Sequence, residues 1–413
     1  MDRISFLSDD VLLHLLSLLT TKDVLKTSVL SKRWRNLWKL VPKLEYIDCD
    51  KNDDHGRSLL FVDRSLLLNR SPVLDSLRFK FHRQCSNVDI GFWVRIAVER
   101  GLRDFDFYHP IFNEPSRLPQ SLFTCGTLVV LKLTNVSLAD VKFPVSFSFL
   151  KTLHLGWVIY LDDESPQKIL SSCPILEDLV VNRDIDDNVT TTFSITVPSL
   201  QKLFYNGKSG ALENESEFAL NAPLLKCLEI LDGSYECKIE EMPEIMAANV
   251  EVIYWNTDNL LGSLTSLKRL SLCLPMESSF PIGKIFHQLV DLEFCTCELE
   301  WDVLMYLLKD SPKLRALKLN ERHNNVLGNR RRRWDEPSSV PETLMFGLQT
   351  LEWRNYRGWY LEKELATFIL KHSCCLKTAS FSPVVTTLEK QHRMLTELAL
   401  LSRGSTTCQL VFD

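Results

Sequence analysis

A short apolar unit that recurs along most of the chain constrains the fold more than any other feature. The unit is an apolar residue, two variable residues, a second apolar residue, one variable residue and a further apolar or aromatic residue. Thirteen copies begin at Leu74, Leu102, Leu128, Leu150, Leu176, Leu200, Leu225, Val250, Leu267, Leu289, Leu314, Leu348 and Leu376. Most copies start 22 to 28 residues after the preceding one, with a short interval of 17 before Leu267 and a long one of 34 before Leu348. So many copies exceed what chance would produce, and the chain is predicted to be an array of repeats.

The spacing is typical of leucine-rich repeats, whose period is about 20 to 29 residues. In each repeat a short strand points alternate apolar residues into a shared core, and a linking segment, in places a small helix, returns the chain to the next strand. The pattern therefore predicts an α/β solenoid over residues 46–335. Its form would be an irregular leucine-rich-repeat horseshoe with a parallel sheet on the inner face.

The residues that alternate with the core leucines are predicted to form a mixed polar and aromatic surface on the inner sheet face. The candidates there for binding a target protein are Arg78, Tyr108, Lys132, His154, Phe204, Tyr254, Glu293 and Lys318. Aromatic side chains on a rigid face suit a protein partner. The alternative is an ordinary solvated face, with the target site on a loop.

The first 45 residues have a helical pattern instead of the repeat pattern. Ser8 is a suitable N-cap for a first helix, whose apolar stripe is Val11, Leu12, Leu15, Leu16 and Leu19. A second helix is predicted after Thr20 or Thr21, and a third after Ser31, ending before Pro42. Units of about 40 residues rarely bury enough surface alone. The apolar faces are therefore expected either to be covered by the rest of the chain or to dock another protein.

The segment ISFLSDDVLLHLLSLLTTKDVLKTSVLSKRWRNLWKLVP resembles the F-box of plant F-box proteins along its whole length. The resemblance implies a three-helix F-box, residues 1–45, that docks onto a Skp-type adaptor and through it onto a cullin scaffold in a ubiquitin ligase. It assigns adaptor binding to Leu7, Ser8, Leu12, Leu15, Leu16, Val24, Leu25, Leu30, Trp34, Leu37 and Trp38. The family usually has proline directly after the leucine at position 7, where this chain has Ser8. Because serine caps helices well, we expect the helix to persist while one rigid apolar contact is lost.

The last part of the chain resembles a second plant domain. The strings EWRNYRGWYLEKELATFILKHSCCLKT and GSTTCQLVFD are similar to the FBD domain found at the C-terminus of plant F-box proteins. A strand near Leu348 precedes a helix with Leu361, Leu365, Phe368 and Ile369 on one face, which predicts a modified terminal repeat. Residues 336–413 are therefore expected to form an FBD cap that closes the solenoid.

Composition and motifs argue against several other classes of protein. With a net charge of −5 and a pI near 6.0, nothing favours a phosphate backbone or an anionic membrane surface, so neither nucleic acid nor membrane is expected as a partner. No apolar stretch approaches the roughly 20 residues that span a bilayer, and no signal peptide is recognised. The cysteines and histidines lack metal-ligand spacing, and phosphate-loop and hydrolase motifs do not occur. We therefore expect no metal, no cofactor and no catalytic residue.

These observations favour a non-catalytic substrate receptor of an SCF-type (Skp–cullin–F-box) ubiquitin ligase, which holds a target protein near the ubiquitin-transferring enzyme. The alternatives are a repeat scaffold that no longer recruits a ligase and a small-molecule co-receptor. The chain is expected in the cytoplasm, the nucleus or both. The basic run NRRRR at residues 329–333 is interpreted as an exposed loop, with nuclear import as the alternative.

Overall fold

The structure is a computed structural model of the 413-residue chain. It describes residues 4–47, 55–83, 85–110, 114–142, 144–183, 192–207, 217–232, 236–252, 257–274, 284–296, 301–322, 337, 339–384 and 387–412. The chain divides into two compact units, Met1–Leu200 with Asn206–Asn214 and Gln201–Tyr205 with Glu215–Asp413. Each unit contains a ladder of parallel strands.

The first unit places parallel strands side by side in the order of the sequence. Its strands are β1 (Lys43–Ile47), β2 (Ser76–Lys80), β3 (Asp104–Tyr108), β4 (Ser116–Arg117), β5 (Val130–Thr134), β6 (Val136–Ser137), β7 (Thr152–Gly156), β8 (Asp178–Asn182) and β9 (Thr192–Thr196). Strands β1, β2, β3, β5, β7 and β8 pair in that order, each parallel to the next, while β4 pairs with β6. This arrangement confirms the predicted parallel sheet.

Helices connect these strands and cover one face of the ladder. The helices of the first unit are α1 (Asp9–Leu16), α2 (Thr21–Lys26), α3 (Trp34–Leu37), α4 (His55–Leu68), α5 (Asn87–Glu99), α6 (Gln120–Phe123) and α7 (Ser165–Ser171). The α5 helix starts at a serine cap, since the Ser86 hydroxyl accepts the Val88 amide at 3.2 Å. Its fully buried Trp93 packs against Phe79 of β2, with ring centroids 5.5 Å apart. Aromatic and aliphatic residues from strands and helices thus share one core.

The second unit repeats the design. Strand β10 is Lys202–Gly207. The later strands, all in the second unit, are β11 (Glu217–Asn221), β12 (Cys227–Asp232), β13 (Glu236–Ile239), β14 (Ala247–Val252), β15 (Arg269–Cys273), β16 (Asp291–Cys295), β17 (Ala316–Asn320), β18 (Thr350–Tyr356), β19 (Thr378–Pro383) and β20 (Gln409–Phe412). The helices are α8 (Thr257–Ser263), α9 (Trp301–Lys309), α10 (Glu342–Phe346), α11 (Tyr360–His372) and α12 (Leu388–Ala399). Strand β12 and strands β14 to β20 pair in order, each parallel to the next.

The strands alternate between buried and half-buried residues. In β2, for example, Leu77 and Phe79 are fully buried, and Ser76 and Arg78 are half-buried on the other face. All thirteen residues that begin the predicted repeats are buried. The leucine pattern therefore identified the core side of each ladder correctly. We call the half-buried side of each ladder its outward face; the horseshoe curvature stays a prediction.

The predicted repeat start at Val250 is wrong, because this repeat begins five residues earlier. Register places Ala248 and Val250 of β14 beside Leu228 and Ile230 of β12, so Val250 occupies the third apolar position of its repeat, not the first. The corresponding first residue is the buried Ile245, which lies 20 residues after Leu225 and 22 before Leu267. The anomalous interval of 17 residues disappears. The template failed because the small Ala248 stands where it expects a large apolar residue.

A repeat strand also precedes the first predicted one. Strand β1 carries buried Leu44 and Tyr46 and pairs with β2. The predicted boundary between residues 45 and 46 therefore falls inside β1. Strand β1 follows the α1 to α3 region directly and is also the first strand of the ladder, so no linker separates the two.

The C-terminal region continues the strand and helix alternation, as its sequence pattern predicts. Strand β18 leads to α11, on which Leu365, Phe368 and Ile369 are buried. In the turn between β18 and α11, Gly358 adopts φ +69°, and an added Cβ would lie 3.1 Å from the Met394 side chain of α12. Glycine at this turn therefore satisfies both the backbone conformation and the close packing.

Candidate functional site

The N-terminal helices are held together by a hydrophobic core of their own. Its buried members are Leu12, Leu16, Val24, Trp34, Leu37, Trp38 and Val41. Side-chain hydrogen bonds cap the first two helices: the Ser8 hydroxyl accepts the Val11 amide at 3.5 Å, and the Thr20 hydroxyl accepts the Asp23 amide at 3.3 Å. The Ser8 and Thr20 caps are as predicted, whereas α3 begins at Trp34 without a side-chain cap from Ser31.

An arginine ties the third helix to the first. The Arg33 guanidinium donates to Asp9 Oδ1 through Nε at 2.7 Å and to the Leu7 carbonyl through Nη2 at 2.6 Å. Asp9 lies in the first turn of α1, where the helix dipole also favours a carboxylate. The entry to α1 is therefore fixed without the proline that the family usually has after Leu7.

The predicted adaptor-binding residues differ in how far they are buried in the structure. Six of the eleven lie in the core just described: Leu12, Leu16, Val24, Trp34, Leu37 and Trp38. Leu7 and Leu25 are half-buried against that core, and Ser8 is an exposed cap. Leu15 and Leu30 are exposed, the latter to 65%. The structure therefore brings the core group together as support and leaves two of the predicted leucines available to a partner.

Further exposed apolar side chains accompany Leu15 and Leu30, and the resemblance did not single them out. Among described residues 4–40, the exposed large apolar side chains are Ile4, Phe6, Val11, Leu15, Leu18, Leu19, Val29, Leu30 and Leu40. Phe6 is 83% exposed and Val29 is 84% exposed. Val11 and Leu15 are four residues apart and share a side of α1 that lies next to the side of the buried Leu12, and Leu18 follows the end of the helix. We call these nine residues the docking face.

The module is fixed to the first repeat strand and to α4. The buried Thr21 hydroxyl accepts the Glu45 amide of β1 at 2.8 Å, which satisfies a backbone donor of this edge strand. Asn69, just after α4, donates to the Val41 carbonyl at 3.0 Å, and the Arg70 amide donates to the Lys39 carbonyl at 2.5 Å. The module that carries the docking face is therefore attached by hydrogen bonds to β1 and to the end of α4.

The outward face of the first unit carries charges that alternate from strand to strand. Register places Glu45, Arg78, Asp106, Lys132 and His154 on neighbouring strands in one row. Arg78 lies between two carboxylates, with Nη1 3.2 Å from Glu45 and Nε 2.9 Å from Asp106. Burial raises the pKa of Asp106, although Arg78 opposes that effect. Burial and the charge of Lys132 lower the pKa of His154, so its imidazole is favoured in the neutral form.

A second row on this face includes the aromatic candidate. Tyr108 lies beside Lys80 and Thr134 in the register, and the Lys80 ammonium lies 5.5 Å from the centroid of its ring. Arg78, Tyr108, Lys132 and His154 are all half-buried at outward positions. The structure thus brings four of the predicted target-binding residues together on four adjacent strands.

The outward face of the second unit is occupied by a polar network. Glu293 accepts Nη2 of Arg322 at 2.9 Å, and Nη1 of the same arginine donates to Asn249 at 3.0 Å. Burial opposes ionisation of Glu293, but the hydrogen bond and charge of Arg322 outweigh it and lower the pKa. Lys318 lies 3.1 Å from Asp291. Both predicted residues here already have intramolecular partners, so a target would compete with them.

Two predicted target-binding residues remain. Phe204 is half-buried at an outward position of β10. Tyr254 lies outside the described residues, as does the basic run at 329–333. With the corrected frame, Ala247, Asn249 and Glu251 are the half-buried positions of β14, and position 254 comes after the last residue of the strand, Val252.

The described part of the chain contains neither a metal-binding cluster nor a membrane-spanning helix. No group of three or more His, Cys, Asp or Glu side chains there is placed to hold a metal ion. Among the same residues, no helix is both long enough and apolar enough to cross a bilayer.

Comparison with known proteins agrees with this architecture of an N-terminal docking module joined to a repeat ladder. Three family models match: the F-box domain over residues 4–46, the leucine-rich repeats of the FBD-associated F-box protein At5g56370 over residues 90–253, and FBD over residues 336–381. In Arabidopsis thaliana, the FBD-associated F-box protein At5g56370 is 60% identical over the full length of both chains. The F-box/FBD/LRR-repeat protein At5g56420 is 50% identical over 100% of this chain and 99% of its own.

The chain therefore belongs to the FBD-associated F-box proteins, which combine an F-box, leucine-rich repeats and an FBD domain. F-box proteins in general serve as substrate receptors of SCF ligases, and they are typically non-catalytic adaptors.

Proposed function

We propose that this chain is the substrate-recognition subunit of an SCF-type ubiquitin ligase. Its F-box would dock onto a Skp-type adaptor and through it onto a cullin scaffold, and its repeats would bind a target protein. The chain would contribute proximity and orientation, with no chemical step of its own. The observation that supports this role best is the docking face, because nine large apolar side chains remain exposed on a module that already has a complete core.

Docking is proposed to use the exposed residues directly and the buried ones indirectly. Exposed leucine, valine and phenylalanine side chains lose contact with water when a partner helix covers them, at about 25 cal/mol per Å² of apolar area. The buried Leu12, Leu16 and Trp38 would hold the helices that carry those side chains. Under this proposal, the eleven residues assigned to docking comprise contact residues and residues that support them.

Target binding is proposed for the outward face of the first unit. Tyr108 and His154 are half-buried there, beside Lys132, and an aromatic ring on a rigid sheet is a favourable anchor. Arg78 would contribute orientation more than affinity, since two carboxylates already hold it. The domain limits 1–45, 46–335 and 336–413 belong to the same proposal, except that the first limit cuts strand β1 (Lys43–Ile47). A cytoplasmic or nuclear location is also part of this proposal.

The test is adaptor binding by the full-length protein. A Leu15→Glu, Leu30→Glu double variant changes two exposed positions and should leave the fold intact while it places charge in the interface. We expect the affinity for a plant Skp-type adaptor, measured by calorimetry, to fall at least thirtyfold, which corresponds to about 2 kcal/mol. Leu400→Glu is the matched control, because Leu400 is an 81% exposed leucine of the second unit.

Equal binding by wild type and the double variant would exclude the docking face as the contact surface. Failure of the folded wild-type protein to bind any Skp-type adaptor would exclude the ligase-receptor role. A Leu12→Asp variant is unsuitable for this purpose, because Leu12 is fully buried and a buried carboxylate would unfold the module.

A further inference from the structure

A groove lies where the F-box meets the first helix after it. It has a volume of about 260 Å³ and is lined mainly by apolar atoms. Leu25 and Trp38 contribute from the F-box, and Leu60, Phe61 and Leu68 contribute from α4. The groove is thus built jointly by the two elements.

The groove is held in shape by the bonds that attach α4 to the F-box. Besides the Asn69 and Arg70 bonds described above, the Ser65 hydroxyl lies 2.8 Å from the phenolic oxygen of Tyr46. Ser65 is buried and also lines the groove. The shape of the groove is therefore fixed in part by a buried hydrogen-bonded residue.

The α4 side of the groove is an apolar stripe that no described part of the chain covers. Leu60 is 45% exposed and Leu68 is 50% exposed, and the residues that line the groove recur at helical spacing on one side of α4. The volume is below the 300 to 1,000 Å³ that is typical of small-molecule sites. An open groove of this size is better suited to a protruding apolar side chain of a protein partner.

Charge indicates what kind of partner fits. Arg57 and Arg64 line the groove, one on each side of Leu60 and Phe61 along α4. The acidic residue of α4, Asp63, accepts the Trp93 indole N–H at 2.5 Å. Both charged residues that line the groove, Arg57 and Arg64, are therefore basic.

We propose that this groove binds a large apolar side chain from an acidic segment of the Skp-type adaptor, so that the adaptor-docking surface extends beyond the F-box onto α4. This inference rests on the proposed ligase-receptor function. Leu25 of α2 is shared between the F-box and the groove, which makes the groove continuous with the module that carries the docking face. The acidic segment would pair with Arg57 and Arg64 and increase the rate of association at low salt.

The test compares two groove variants with the wild type in adaptor binding, using the full-length protein. Arg57→Glu, Arg64→Glu should weaken binding about tenfold in 50 mM salt, and the difference should shrink in 500 mM salt because exposed charges are screened. Leu60→Ser, Leu68→Ser should weaken binding about tenfold at both salt concentrations. Neither variant changes a residue of the docking face.

The matched controls are Arg95→Glu, on the exposed side of α5, and Leu67→Ser, an exposed leucine of α4 that does not line the groove. Both should bind like the wild type. A photo-crosslinker at Leu68 should label an acidic segment of the adaptor, whereas one at Leu67 should not.

Groove variants that bind like the wild type, while Leu15→Glu, Leu30→Glu loses binding, would overturn this inference and leave the proposed function intact. Labelling from Leu68 that falls on a basic or neutral segment would also overturn it. If the wild-type protein does not bind the adaptor, the proposed function fails and the inference fails with it.

Discussion

Glu362 should make the stability of the FBD region depend on pH. This carboxylate is buried in the first turn of α11, where it accepts the Trp359 and Arg357 amides at 3.0 Å each. Burial, aided by the nearby Glu321, raises its pKa from an ordinary value of 4.5 to about 7, although the backbone hydrogen bonds act in the opposite direction. The folded protein therefore binds a proton at Glu362 that the unfolded chain releases between pH 4.5 and 7.

The sign and size of the effect follow from linkage. A raised carboxyl pKa stabilises the folded state most below pH 4.5, and this contribution is lost as the pH rises through 7. At about 1.4 kcal/mol per pH unit the full effect is about 3 kcal/mol, of which about 2 kcal/mol falls between pH 5.5 and 8. The opening free energy of α11 should therefore be about 2 kcal/mol lower at pH 8 than at pH 5.5, apart from the contributions of other groups.

Hydrogen exchange of α11 amides, corrected for the intrinsic pH dependence, measures this opening directly. The decisive comparison is with Glu362→Gln, which keeps an oxygen that accepts the two amides but has no charge to lose. The variant should lack the 2 kcal/mol difference, while Glu389→Gln, at an exposed position of α12, should keep it. Identical pH dependence in wild type and Glu362→Gln would refute the reasoning.

Three further changes test the core, the strand edge and the C-terminal packing. Leu12→Ala should destabilise the F-box by about 2 to 5 kcal/mol in urea unfolding, whereas exposed Leu15→Ala should change it by less than about 0.5 kcal/mol; equal effects would contradict the placement of the core. Thr21→Val leaves the edge amide of β1 without its acceptor and should cost about 1 to 3 kcal/mol, visible as faster exchange of that amide. Gly404→Ala would place a Cβ 2.5 Å from the Lys371 carbonyl, so the melting temperature should fall by several degrees; an unchanged melting temperature would show that the backbone yields.

The repeat ladder was predictable because its signal is local and repeated. Each strand needs one apolar start and two apolar residues at alternate positions, and all thirteen predicted starts are indeed buried. The frame around Val250 was missed because the relevant core position is Ala248, whose small side chain carries little of that signal. Strand β1 was missed because it directly follows the helical pattern and the F-box resemblance, which ends at Pro42. In both places the strand has the buried apolar residues that a repeat requires, so the sequence pattern and the fold agree.

The docking face was harder to predict, because α1 is apolar on more than one side. Its sequence DDVLLHLL gives the buried Leu12 and Leu16 and also the exposed Val11 and Leu15. Periodicity alone does not say which stripe packs inside, since that depends on where α3 and the end of the module lie. The three-dimensional core, centred on Trp34, Leu37 and Trp38 of α3 and the turn after it, decides the matter.

The two outward faces differ in whether their side chains can contact a partner without breaking bonds within the chain. In the second unit Arg322 reaches Glu293 and Asn249 on separate strands, so a partner that displaced it would have to replace those hydrogen bonds. In the first unit Arg78 is similarly engaged, but Tyr108 offers a ring that a partner can cover while Lys80 stays in place at its face. Covering an apolar ring adds hydrophobic free energy, whereas exchanging one ion pair for another adds little. Target affinity is therefore expected to depend more on Tyr108 than on the charged residues that surround it.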